Sequence, residues 1–200
     1  MNTSKVIGLL LAVSIFFFGF STVVLADDVE DYINEGLKYY KEGKFTEAVS
    51  SLSTAEQMIQ QKKSSGLEGF LPKPLDGWEA EAATSQAAAA AMLGGGISAE
   101  REYRKGESSI RIQIMADSPM LQSALMMISN PMYATADGGK LERIGNQKAV
   151  VKFNAAEKTG NVQLVAANRF LVQIDGNNVS AQDLKDYAAA IDYDKLATLP

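Results

Sequence analysis

The sharpest alternation in the chain lies at 109–116, where Ile110, Ile112 and Ile114 are separated by Arg111 and Gln113. A period of two sends successive side chains to opposite faces, so this stretch predicts a half-buried β-strand. Residues 98–105 predict its neighbour, with a turn near Gly106 between them. Residues 141–144 and 147–154 flank Gly145-Asn146, a two-residue hairpin turn with glycine first. Strands at 161–167 and 170–175 follow, turning at Asn168. Their inward set is Ala149, Val151, Phe153, Val162, Leu164, Phe170, Val172 and Ile174. The outward set is mixed, with Arg111, Lys152, Gln163 and Gln173 beside Met115, Val150, Val165 and Leu171. A solvated antiparallel face is mostly polar. Part of this face is therefore expected to be covered, by an alanine-rich helix, by the N-terminal helices or by a ligand, with internal cover preferred.

The period changes to 3.6 in four places. Ser118-Pro119 opens a helix with Leu121, Ala124, Leu125 and Ile128 on one face, ended by Asn130-Pro131. Ser180 caps a last helix lined by Leu184, Tyr187, Ala188 and Ile191. The alanine-rich run closed by Gly94-Gly95-Gly96 predicts a helix over 80–92, with a short strand at 78–82 and a loop as the alternative. Residues 29–63 read as two helices. The predicted fold class is α+β: an N-terminal helical hairpin and an antiparallel sheet packed with helices. The expected division is a signal segment at 1–26, the hairpin at 27–63, a linker or extended wrap at 64–77 containing Gly66, Gly69, Pro72, Pro74 and Gly77, and the α+β domain at 78–200.

The hairpin carries the most specific spacing. Tyr32, Gly36, Tyr39, Ala48, Leu52 and Ala55 fall in a large–small–large, small–large–small order, with Gly43 at the turn and Phe45 after it. Small Gly36 and Ala48 allow two antiparallel helices to approach closely. This pattern resembles one tetratricopeptide repeat, with Glu35 departing from the family's apolar residue there. A solitary repeat cannot bury its own apolar face. It must pack on its own domain, on a second copy or on a protein partner. The resemblance implies a protein-interaction or dimerisation element, with Tyr32, Tyr39, Phe45 and Leu52 as candidate contact residues. Leu75-Asp76-Gly77-Trp78 and the strand order after it are similar to the PsbP-like fold of secreted α/β/α proteins. That resemblance implies location outside the cytoplasm and carries no site residues.

The N-terminus supports the same location. Lys5 is the only charge before Asp27, residues 6–26 are apolar or small, and Val24-Leu25-Ala26 suits a signal peptidase. Twenty-one such residues also suffice for an uncleaved anchor, the one membrane contact expected. The segment predicts a periplasmic or secreted protein.

Composition then removes chemistries. With no cysteine there is no disulfide, thiolate nucleophile or iron–sulfur cluster. With no histidine there is no Ser-His-Asp triad and no imidazole ligand. A net charge of −5 argues against nucleic acid as a partner. The glycine triplet lacks the Lys-Ser/Thr of a phosphate loop, and Asp175-Gly176-Asn177-Asn178 lacks the remaining acids of a calcium loop. No cofactor and no metal site is expected. Met115, Met120, Met126, Met127 and Met132 crowd into 18 residues without a regular copper-binding spacing.

Three readings remain in order of preference. The first is a non-catalytic protein acting through protein contacts at the hairpin. The second is a small-molecule or lipid carrier with Met115, Met126, Met127, Val165 and Leu171 lining an apolar face. The third is an enzyme built on paired carboxylates.

Overall fold

The computed structural model describes residues 28–86, 96–136 and 138–199. The expected signal segment at 1–26 and residues 87–92 of the alanine-rich run lie outside them. Two helices come first, α1 (Asp28–Lys41) and α2 (Phe45–Glu68). Strands β1 (Glu79–Ala80), β2 (Thr84–Gln86), β3 (Ile97–Lys105) and β4 (Ser108–Ala116) follow. Helices α3 (Met120–Ser129) and α4 (Pro131–Ala136) separate these from β5 (Lys140–Ile144), β6 (Gln147–Asn154), β7 (Thr159–Ala166) and β8 (Phe170–Asn177). Helices α5 (Ala181–Ala189) and α6 (Tyr193–Leu196) close the chain. The class is α+β, as the pattern predicts.

All strand pairs are antiparallel, in the order β1-β3-β4-β8-β7-β6-β5, with β2 pairing farther along β3. Register places the alternating isoleucines in cross-strand rows. Ile112 lies opposite Ile174, which lies opposite Val162, which lies opposite Val151. The next row is Ile114, Val172, Leu164 and Ala149. This face forms the main core, under Leu67, Leu71, Trp78, Leu184, Tyr187, Ala188, Ile191 and Leu196. Each fully buried large aliphatic chain contributes about 1.5–3 kcal/mol. Helix α5 descends onto the sheet at a gap made by two cross-strand partners without side chains, Gly160 and Gly176. A Cβ on Gly160 would meet Leu184 Cδ1 at 2.7 Å, and one on Gly176 would meet Leu184 Cδ2 at 2.7 Å.

Two expectations change. Glu79–Ala80 and Thr84–Gln86 are short strands joined by a connection at 81–83, nearer the alternative of a strand at 78–82 and a loop than the helix, because β1 and β2 hydrogen-bond to the outer edge of β3. Alanine propensity is worth only tenths of a kcal/mol per residue, and edge pairing overrides it. The stretch 64–77 begins as helix through Glu68 and then follows the extended-wrap alternative. Helix α2 runs through Gly66 to Glu68 and buries Leu67 completely in the core. The chain then crosses the end of the sheet. Pro72 O accepts from the Tyr103 hydroxyl at 2.7 Å and from Arg101 Nη1 at 3.3 Å. Trp78 packs edge-on against Tyr187, 5.4 Å between ring centres. Burial pushes the Tyr103 hydroxyl up to about 12.

The second face is divided. Helix α3 lays Leu121 and Ala124 on Met115 and Leu171, with Leu125 and Val165 at the margin. Ile128 joins Ala134 of α4 on Val150, with Met127 and Val165 beside them. Internal cover is what the mixed pattern required, and its source is the Ser118-Pro119 helix. Beyond α3 the face is polar: Gln113, Gln173 and Gln163 form one row, and Arg111, Asp175, Asn161 and Lys152 the next.

Candidate functional site

Helices α1 and α2 form because their polar and apolar positions follow a 3.6 period, and the ends of α1 suit the helix dipole. Asp28, Glu30 and Asp31 occupy the first turn of α1, and Lys38 and Lys41 the last. Gly43, at φ +75°, makes the turn between the helices, and Lys44 N donates to Tyr39 O at 3.0 Å. Val29 and Gly36 of α1 are buried against Ala48, Ser51 and Ala55 of α2. Gly36 allows the approach, since a Cβ there would meet Leu52 Cγ at 2.7 Å. Glu35, the departure from the repeat pattern, accepts from the buried Ser51 hydroxyl at 2.9 Å.

Helical geometry divides the remaining residues between two faces. With Gly36 and Ala48 pointing at each other, Ile33, Leu37, Tyr40, Phe45, Val49, Leu52 and Ile59 rotate to one side. Tyr32, Glu35, Tyr39, Ser51, Thr54 and Met58 rotate to the other. The Tyr40 and Phe45 rings meet across the turn, 5.8 Å between centres. On the first side all seven side chains are exposed, and Tyr40, Phe45 and Val49 each keep more than 60% of their surface open. Single exposed apolar residues are ordinary, but a contiguous group of this kind marks an interaction surface. The hairpin leans on the sheet through the second half of α2, at β2 and β3, so this face stays clear of the domain core.

The four predicted contact residues are split by this geometry. Phe45 and Leu52 lie on the apolar face. Tyr32 lines a polar groove with Asp28, Asp31, Glu35, Thr54 and Met58 on the opposite face. Tyr39 is half-buried there, with Lys44 Nζ 5.7 Å from its ring centre. Sequence reasoning missed Ile33, Leu37, Tyr40, Val49 and Ile59. Their steps of four and three residues along each helix were the signal that would have found them.

Of the residues proposed to line a ligand face, Met115 and Leu171 are buried beneath α3, and Val165 fills the seam between its two contact clusters. Met127 packs beside Ile128, while Met126 points to solvent. The open polar end of that face centres on Asp175. Its two oxygens accept from Asn161 Nδ2 at 2.6 Å and Gln173 Nε2 at 3.0 Å. Register sets Arg111 between Asp175 and Glu102, with Arg111 Nη2 3.9 Å from Glu102 Oε2. Arg104 Nη2 holds Glu102 at 3.0 Å. Guanidinium groups interleaved with carboxylates make a neutralised surface network. A glycosidase pair needs two carboxyls facing one another across a cleft. Among the described residues no group of three or more acidic side chains converges as a metal site. No described helix is long and apolar enough to cross a membrane. Compared with known protein families, curated proteins and solved structures, the chain matches none.

Proposed function

We propose that this protein acts outside the cytoplasm by docking another polypeptide on the apolar face of its N-terminal hairpin, and not by catalysis. The observation that carries the reading is the exposure of Ile33, Leu37, Tyr40, Phe45, Val49 and Leu52 on one face. Leaving such a face in water forgoes the burial energy that would cover it, about 25 cal/mol per Å². A partner recovers that energy. The tyrosine and phenylalanine supply the large anchors that interface centres favour. An apolar ligand would need open apolar surface, and on the sheet α3 already occupies it.

The reading is tested with a photo-crosslinking amino acid at Val49, introduced in the source cell. Adducts with polypeptide are expected from Val49 and not from Ser109, on the polar sheet face. Absence of any protein adduct from positions 37, 49 and 52 overturns the docking reading. A mature N-terminus at residue 27, seen by mass spectrometry, is the expected sign of export.

A further inference from the structure

We propose that the occupant of the apolar face is the same face of a second copy, so that two hairpins form an antiparallel four-helix bundle. This inference rests on the docking reading above and names its partner. The first argument is spacing. Ile33, Leu37 and Tyr40 step by four and three residues, as do Phe45, Val49 and Leu52, and Ile59 follows seven after Leu52. Alternating steps of four and three mark the seam residues of helices that pack in bundles. Each helix already uses one stripe against its neighbour, Val29 and Gly36 on α1 and Ala48 and Ala55 on α2. A second seam at the same repeat, on both helices and facing the same way, fits a pair of antiparallel helices. The hairpin itself has that shape.

The second argument is charge. Glu30 and Lys41 border the exposed stripe of α1 on its outer side, one near each end of the helix. They are eleven residues apart, or about 16 Å along the axis. A two-fold axis crossing α1 between residues 35 and 36 would set Glu30 of one copy opposite Lys41 of the other. Symmetry makes that pair twice. The same axis runs Ile33, Leu37 and Tyr40 antiparallel to their counterparts and brings the α2 stripes together. The border of the face is thus complementary to itself.

The test is sedimentation equilibrium of the purified protein over a wide micromolar range. A monomer–dimer equilibrium is expected. Leu37→Glu with Val49→Glu, both at exposed positions, should abolish the dimer while leaving the far-ultraviolet circular dichroism unchanged. Glu30→Lys or Lys41→Glu alone should each weaken the dimer about fivefold, through two like-charge contacts per interface. The double exchange Glu30→Lys/Lys41→Glu should restore it. A monomer at every concentration overturns the inference. So does a dimer that survives Leu37→Glu/Val49→Glu, or one that ignores the charge exchanges. The docking reading stands separately: adducts from Val49 to a different protein, with a monomeric chain, would sink the second copy and leave docking in place.

Discussion

Pro72 contributes one carbonyl oxygen, and two side chains from the same strand converge on it, Tyr103 and Arg101. Arg101 occupies an inward register position opposite Ile112, where the alternation of β3 calls for an apolar residue. Its Nη1 donates to that carbonyl, while its Nε is buried without a hydrogen-bond partner among the described residues. Tyr103 makes a testable contribution. Its folded pKa, about 12, exceeds the ordinary tyrosine value of about 10 found in an unfolded chain. Burial likewise raises Tyr193 and Tyr187. For a group whose pKa is raised by folding, the stabilisation is complete below the unfolded value. It is lost as pH rises through the folded one. Urea denaturation midpoints should therefore fall between pH 10 and 12. The fall should be shallower in Tyr103→Phe, which also costs about 1 kcal/mol at neutral pH through the lost hydrogen bond. Midpoints that stay level up to pH 11.5 would contradict this account.

At the scale of elements, the contact between α5 and the sheet shows how two absent side chains position a helix. Gly160 and Gly176 face each other across β7 and β8, and Leu184 fills the space. Gly176→Val should displace α5 and cost about 2–3 kcal/mol, read as a lower midpoint in chemical denaturation. An unchanged midpoint would mean that α5 is seated by its other contacts. Helix α5 was legible beforehand. Ser180 accepts from Asp183 N at 3.1 Å and donates to its carboxylate in a capping box, and the predicted face of Leu184, Tyr187, Ala188 and Ile191 is buried. The strands were legible for a similar reason, since their alternation records one covered face. The edge strands at 79–80 and 84–86 were not legible as the first choice, only in part as its alternative, because pairing with β3 outweighs the alanine preference of that stretch. Nor was the reach of α2, since the pull on Gly66 comes from Leu67 entering a core assembled by distant strands. The hairpin was read correctly as two close helices. Close packing and outward display run along different stripes of the same helix, and the sequence reading concentrated on the first.

Across the described molecule, α2 joins the hairpin to the sheet. It is 24 residues long, about 36 Å. Its first half faces α1, and its second half reaches β2, β3 and the core. Asp117 secures the junction, taking Lys63 of α2 at 3.2 Å and Arg169 of the β7–β8 turn at 3.1 Å. Among the described residues, helix α1 is held chiefly by α2. Its buried residues are Val29 and Gly36, and its main neighbour is α2. Local opening follows buried contact, so α1 amides should exchange with deuterium well before those of β4, β7 and β8. Equal protection of α1 and the central strands in dilute solution would refute that ordering. A consequence follows for how engagement of the hairpin would be seen. A helix with so little fixed support gains most of its order from whatever covers its outer stripe. Slowing of α1 exchange, with the sheet unchanged, would then report occupancy of the apolar face before any partner had been identified.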